Sequence, residues 1–313
     1  MAPRRIRYER LPTERVNRAS RALDRLSALE IAALMNREDR RAVAAVGRVR
    51  HELAAAVELI VGALRRGGRL VFVGAGTSGR LGVLEAAECP PTFGTRPGLV
   101  QAIIAGGRGA VFRSREGAED DARAARRAVR ARVRRGDVVV GVSASGVTPF
   151  AAAALAAARR RGAATVLVAC NPAVLRERTG RASAATVVIA PAPGPEVVAG
   201  STRLKAGTAT KLVLNTLTTA SMTRLGKVYG NRMVDLQPRS AKLRARAARL
   251  VEEVGGVSRA RARTLLGAAR GSARLAIVMA RRGLSTRAAA RALAEAGGSL
   301  RAALQAPRRK ERA

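Results

Sequence analysis

The chain has 313 residues, 48% of them apolar and only 2% aromatic, with a formal net charge of +37 at pH 7. This size and apolar content exclude a disordered chain and fit one α/β domain plus a small accessory domain, with a core of Ala, Val, Leu and Ile. No apolar run reaches membrane-spanning length, the N-terminal residues lack a signal-peptide-like segment, and Cys89 and Cys170 make no disulfide framework, so a cytoplasmic protein without a membrane partner is expected.

A charge of this size ordinarily suggests nucleic acid. The basic residues, however, are nearly all arginine, spread over the helical segments among alanines, with no aromatic interleaving for base stacking. Arginine on solvated helix faces is the simpler reading, and no specific nucleic-acid partner is expected. Non-specific attraction for polyanions, falling steeply with salt, is the alternative.

Residues 1–42 read as an N-terminal arm followed by the start of a helix. Turn formers between Leu11 and Asn17 show no period, and Ser27-Ala-Leu-Glu30 forms a capping box. Helical periodicity then runs to about Leu64, with a break expected near Met35–Asp39. His51, the only histidine, lies in this region and reads as a surface or interface residue.

The stretch from Arg69 to Gly94 carries the strongest signal. A buried strand, Leu70 to Val73, turns on Gly74, Gly76 and Gly79 into a helix expected from about Ser78 to Pro90–Pro91. A strand feeding a glycine turn and a helix N-terminus directs free N–H groups and the helix dipole at an anion. Thr77 and Ser78 add hydroxyls and Arg80 a guanidinium, which suits a phosphate monoester. The same glycines match the dinucleotide pattern, but that site wants a carboxylate at the end of the next strand. Here that strand, Val100 to Ala105, ends in Gly106–Gly107, which favours a sugar phosphate.

Glu116-Gly-Ala-Glu119-Asp120-Asp121 is a dense acidic cluster before an alanine–arginine helix. Its residues can cap that helix, or hold a general base near the phosphate site; composition does not choose. A third strand, Val138 to Val142, runs into Ser143-Ala-Ser145-Gly146-Val147-Thr148-Pro149, a second serine–glycine turn before a helix. Two such turns at the carboxyl end of one parallel sheet can face one ligand from two sides. Further strands are expected at Thr165–Ala169 and Thr186–Ala190, with Cys170 a small buried residue. Beyond a loop holding Glu196, a long helix opens with Arg203 and Lys205 in its first turns, where a cation opposes the helix dipole and suggests an anion contact.

Composition shifts after Leu236. The expected organisation is an arm and helix (1–42), a sugar-phosphate-binding α/β domain (43–236), a connecting helix (237–257), a small three-helix module (258–306) and a charged tail (307–313). The helical patterns of the module break at Gly271, Gly283–Leu284 and Gly297–Gly298.

The segments VGAGTSGRLGVLEAAECPPTFG, IIAGG, EGAEDD, ACNP, EVVAGSTRLKAGTATKLVLN and GKVYGNRMVDL, in this order, resemble the bacterial N-acetylmuramic acid 6-phosphate etherases over about residues 10 to 304. The resemblance implies a sugar-isomerase-type fold, with a parallel sheet flanked by helices and a small C-terminal ubiquitin-associated-like module. It also implies a homodimer that needs neither metal nor cofactor. The implied reaction cleaves the ether between D-lactate and C3 of the sugar. By resemblance the catalytic pair is Glu119, removing the C2 proton, and Glu88, protonating the departing lactate oxygen. Glu88 follows an apolar helix and precedes Pro90, which suggests partial burial. The expected substrate contacts are Thr77, Ser78, Arg80, Ser143, Ser145, Thr148, Arg203 and Lys205. Two residues depart from the family pattern: Val147 stands where an arginine is expected, and Glu85 where aspartate is usual. A non-catalytic sugar-phosphate sensor and an aldose–ketose phosphate isomerase are the competing functions for such a site.

Overall fold

The computed structural model describes residue 9 and residues 11–176, 184–235 and 240–306. The expected tail at 307–313 and the first eight residues fall outside these. The described chain divides into two compact units, 1–87 with 98–218, and 88–97 with 219–313.

The first unit is built on a five-stranded parallel sheet, β1 (Leu70–Gly74), β2 (Val100–Ile104), β3 (Val138–Val142), β4 (Ala164–Val168) and β5 (Val187–Ile189). Their order is β2-β1-β3-β4-β5. The central strands β1 and β3 are buried along their whole length, as parallel strands between helices must be, while the edge strands β2 and β5 are partly exposed. On one face Val71, Val73, Val139 and Leu167 meet α4 (Ala122–Arg132) and α5 (Pro149–Arg160). The other face carries α3 (Gly76–Phe93), whose Gly82 lies so close to Phe72 that an added Cβ would sit 2.7 Å from the Phe72 Cβ. α2 (Arg50–Arg65) also packs on the sheet. The strand entrances are tied together by Asp137, which is 2% exposed. Its carboxylate accepts from the Arg69 side chain (2.7 Å) and from the backbone N–H groups of Arg69 and Arg134.

Two helix boundaries differ from expectation. α1 (Ala28–Arg48), opened by the Ser27–Glu30 capping box, runs without a break through Met35–Asp39 and gives way to α2 at Val49. The polar stretch suggested an interruption, yet Glu38 is buried there against a cation from far along the chain. α3 does not stop at Pro90–Pro91 but continues to Phe93. The fixed φ of proline is helical, so the backbone keeps its path, although each proline lacks the N–H that would bond four residues back. Gly94, at φ +61, ends the helix, its N–H bonded to the Pro90 carbonyl.

α6 (Lys205–Arg224) begins two residues after Arg203, so Arg203 lies before the helix rather than in its first turn. The second unit holds a short hairpin, β6 (Val228–Tyr229) and β7 (Arg232–Met233), and five helices. These are α7 (Ala241–Gly255), α8 (Arg259–Ala268), α9 (Ala273–Arg282), α10 (Thr286–Glu295) and α11 (Leu300–Gln305). Each opens on a serine, Ser240, Ser258, Ser272, Ser285 and Ser299, whose hydroxyl accepts a first-turn N–H. The expected glycine breaks separate four short helices after residue 258 rather than three, and α7 contributes Ala247, Leu250 and Val251 to the same core. Among the described residues no helix is long and apolar enough to cross a membrane.

Candidate active site

In this strand order the chain leaves β1 for β2 on one side and reaches β3 on the other, so a crevice opens between the carboxyl ends of β1 and β3. Open α/β sheets bind ligands at such a reversal. Gly74 pairs with Val142 in the ladder, which sets the two glycine–hydroxyl turns side by side. The first turn is tight. A Cβ on Gly79 would lie 2.7 Å from the Gly74 carbonyl oxygen, and one on Gly74 would lie 2.9 Å from the Gly79 nitrogen. Only glycines allow α3 to start this close to the strand.

A cavity of about 320 Å³ occupies the crevice. Thr77 and Ser78 line it from the start of α3, and Ser145, Val147 and Thr148 from the turn after β3. Glu119 and Asp120 wall it from a single 3-10 turn, Ala118–Asp120. The acidic cluster therefore divides its work. Asp121 caps α4, its Oδ1 accepting from Ala124 N at 2.7 Å, while Glu119 is exposed to the cavity. Thr13, Glu14, Gly200 and Thr202 complete the wall, and the arm joins the loop through Gly200 N–H to Thr13 O (3.0 Å). Sequence reading did not single out these four, because their proximity arises only from contacts nearly 190 residues apart.

Four other expected contacts, Arg80, Ser143, Arg203 and Lys205, are not brought into this cavity. Ser143 is buried, and its hydroxyl lies 2.7 Å from Thr148 Oγ1 and accepts from Gly146 N–H at 3.0 Å, so it shapes the turn. Arg203 is exposed and does not line the cavity. Lys205 is 1% exposed and ion-paired with Glu38 Oε2 at 2.6 Å, and it also donates to Pro195 O at 3.0 Å. A buried ammonium needs a counter-ion, and the one it has is a carboxylate of α1 rather than an anionic ligand. Asn17 donates to the same Glu38 oxygen at 2.8 Å. Burial would raise the Glu38 carboxyl, but the hydrogen bonds from Lys205 and Asn17 and the charges of Lys205 and Arg41 outweigh it and hold the group below the usual carboxylate range. Glu196 accepts the N–H groups of Lys205 and Ala206, capping α6, and burial pushes its carboxyl above that range.

Arg80 lies one turn into α3 and donates through Nε to the Val111 carbonyl at 2.9 Å, which fixes its guanidinium beside a neighbouring cavity. Glu88 lies in the second unit, exposed on α3, so the expected partial burial does not occur. Glu85, three residues earlier, is the buried one. Its carboxylate accepts from Asn215 Nδ2 and, at 2.5 Å, from Thr218 Oγ1. Cys170 is buried against α6, and burial pushes its thiol up to about 12, which suits the inert role expected of it. His51 is exposed.

Residues 52–159 match the family model described as the glucokinase regulatory protein N-terminal SIS domain. An N-acetylmuramic acid 6-phosphate etherase from Trichormus variabilis is 51% identical over 295 residues, covering 94% of this chain and 94% of the relative. Another, from Symbiobacterium thermophilum, is 52% identical over 273 residues, covering 87% and 89%. Among solved structures, the phosphoheptose isomerase GmhA from Neisseria gonorrhoeae superposes with a TM-score of 0.47 at 20% identity, over 63% of this chain and 100% of that one.

Proposed function

We propose how the site works from the premise that this chain belongs to the N-acetylmuramic acid 6-phosphate etherase family, as its near-full-length relatives establish. It is a carbon–oxygen lyase. It cleaves the lactyl ether of N-acetylmuramic acid 6-phosphate by elimination and hydration, releasing N-acetylglucosamine 6-phosphate and D-lactate. The sensor and isomerase alternatives give way to this membership.

The assignment of residues is our reading. The open-chain aldehyde acidifies the C2 proton, and Glu119 removes it. The C2–H electrons form the C2–C3 double bond while the C3–O bond breaks, and Glu88 delivers a proton to the departing lactate oxygen. In the second half Glu88 takes a proton from water as the water oxygen adds to C3, and Glu119 returns a proton to C2. One pair of acid–base groups thus serves both directions. The observation that carries the Glu119 role is its place in one cavity with Thr77, Ser78, Ser145 and Thr148, at the crevice between β1 and β3. The phosphate is held by these hydroxyls and the free N–H groups opening α3. The role of Glu88 rests on the family resemblance and on its carboxylate being exposed to solvent.

The enzyme acts as a homodimer in the cytoplasm. Exposed apolar side chains on α1 and α3, Leu29, Val43 and Leu84, support a subunit interface on the first unit, and two free cysteines suit a reducing compartment.

Solvent exchange of the C2 proton separates the two glutamates. Glu119→Gln is expected to lose both exchange and lactate release by about 10²–10⁴-fold. Glu88→Gln is expected to lose lactate release and keep more of the exchange. Exchange at the parent rate in Glu119→Gln would refute the base assignment, and exchange lost only in Glu88→Gln would reverse the roles.

A further inference from the structure

A second cavity, of about 310 Å³, adjoins the first and shares Ala75, Gly76 and Glu119 with it. The two differ in charge. The first is lined by the carboxylates Glu14, Glu119 and Asp120, with no lysine or arginine among its lining residues. The second is lined by Arg80, Arg115 and Ser114 together with the carboxylates Glu116 and Glu119, so its two cations balance its two acids where the first cavity has acids alone. Arg80 is held by its bond to the Val111 carbonyl. Arg115 runs across two glycines. A Cβ on Gly106 would stand 3.0 Å from Arg115 Cδ, and a Cβ on Gly109 would stand 3.0 Å from Arg115 Nη2. Gly106 also has φ +79, a conformation that suits glycine. The loop after β2 is thus shaped so that the Arg115 side chain can lie flat along it.

The substrate has two anionic ends, a phosphate at C6 and the lactyl carboxylate at C3. C3 is bonded to C2, whose proton goes to Glu119, so the lactyl group must lie within a few bonds of that carboxylate. Glu119 stands where the two cavities meet. With the phosphate in the hydroxyl-lined cavity, the lactyl carboxylate falls to the arginine-lined one. We propose that Arg115, together with Arg80, forms a carboxylate subsite that binds the lactyl group of the substrate and the D-lactate product. This rests on Glu119 being the base. It also accounts for Val147: the turn after β3 carries no cation in this chain, and the loop after β2 supplies one. A planar guanidinium matches a carboxylate in two parallel hydrogen bonds. Its charge also offsets the negative charge that develops on the lactate oxygen as the C3–O bond breaks.

Arg115→Gln tests the subsite. Arg115 is exposed on a loop, so the variant is expected to fold with an unchanged melting temperature. The Michaelis constant for N-acetylmuramic acid 6-phosphate and the inhibition constant of D-lactate are each expected to rise roughly 10- to 100-fold, the loss of a charge-assisted hydrogen bond. Binding of N-acetylglucosamine 6-phosphate, which has no lactyl group, should stay within about twofold by calorimetry, and Arg115→Lys should recover part of the D-lactate inhibition. Unchanged D-lactate inhibition in Arg115→Gln overturns the proposal. An equal loss of N-acetylglucosamine 6-phosphate binding overturns it too, because Arg115 would then serve the phosphate. A wrong base shows itself separately, as C2 exchange surviving in Glu119→Gln while D-lactate inhibition is still lost in Arg115→Gln.

Discussion

Ser145 and Thr148 line the first cavity, whereas Ser143, in the same turn, is buried with its hydroxyl engaged by Thr148 and Gly146. The contrast repeats at the other wall. Glu14 and Thr202 face the cavity, while Asn17, Glu38 and Lys205 form a closed polar cluster beneath the same arm and loop. Residue type does not separate the two groups. What separates them is burial: the scaffold groups are closed off with their partners, whereas the wall groups, though partly bonded within the fold, keep some hydrogen-bonding capacity open to the cavity. A buried cluster that satisfies itself fixes geometry, and a wall that leaves donors free can take a ligand. Wall substitutions should therefore change kinetics at constant stability, and cluster substitutions should change stability first.

The largest expected effect is on the cluster. Lys205→Met removes the cation facing a buried carboxylate and is expected to cost about 3–5 kcal/mol of unfolding free energy in urea titration. The Lys205 N–H that Glu196 caps is backbone and persists in the variant. A stability loss below about 1 kcal/mol, with a large rise in the Michaelis constant, would return Lys205 to the role of ligand contact and break the comparison.

Acid sharpens the same point. The Glu38 carboxyl titrates below its ordinary range in the folded chain, so its contribution to stability is fully present above the unfolded value of about 4.3 and is lost as pH falls through the folded one. Glu38→Gln has no such contribution to lose. Its melting temperature is expected to decline less between pH 5 and pH 3 than that of the parent, and an equally steep decline would place the acid sensitivity elsewhere. Glu196 works in the opposite sense. Its raised value means that its contribution is present at low pH and lost as pH rises through the folded value, so it cannot produce the acid limb.

Local chemistry made much of the fold legible. β3 lies at the expected Val138–Val142, and the Ser27–Glu30 capping box forms as written. Glycine breaks and serine caps together delimit the short helices of the second unit, because each cap is satisfied within its own first turn. The two turns of the crevice were legible for the same reason, and the strand order brings them together. Long-range partners were not legible. Lys205 read as a cation set against a helix dipole because nothing near it in sequence announces Glu38, 167 residues earlier. Glu85 read as a minor departure, yet it is bonded to Asn215 and Thr218 on α6. The helix through Pro90–Pro91 was missed because the local rule treats a proline pair as a stop, whereas the helical φ of proline lets the chain keep its path to Phe93 despite the missing N–H groups.

On the wall, Ser78→Ala and Ser145→Ala are each expected to raise the Michaelis constant by an amount worth roughly 1.5–3 kcal/mol, the range for a hydrogen bond to a charged group. Their unfolding free energies should stay within about 0.5 kcal/mol of the parent. Parent-like affinity in both variants would move the phosphate away from these hydroxyls.

The smallest effect discriminates most closely, because it sets Ser143 against a residue two positions away. In Ser143→Ala the buried Gly146 N–H loses one acceptor but keeps another, the Ser143 carbonyl at 2.9 Å, and the Thr148 N–H loses only a long 3.4 Å contact at a half-buried position on the cavity wall. The Thr148 hydroxyl loses its 2.7 Å partner, but Thr148 is itself on the cavity wall and can turn towards solvent or ligand. The expected cost is therefore the net worth of an ordinary hydrogen bond, about 1 kcal/mol of stability, rather than the larger penalty of an unsatisfied group. The Michaelis constant should rise less than in Ser145→Ala, because only the orientation of Thr148 is disturbed and no direct contact is removed. Melting curves and initial rates of lactate release on the two variants decide the matter. A Ser143→Ala enzyme with parent stability and the weaker substrate affinity of the two would mean that the buried hydroxyl reaches the ligand, and that the division between wall and scaffold fails within a single turn.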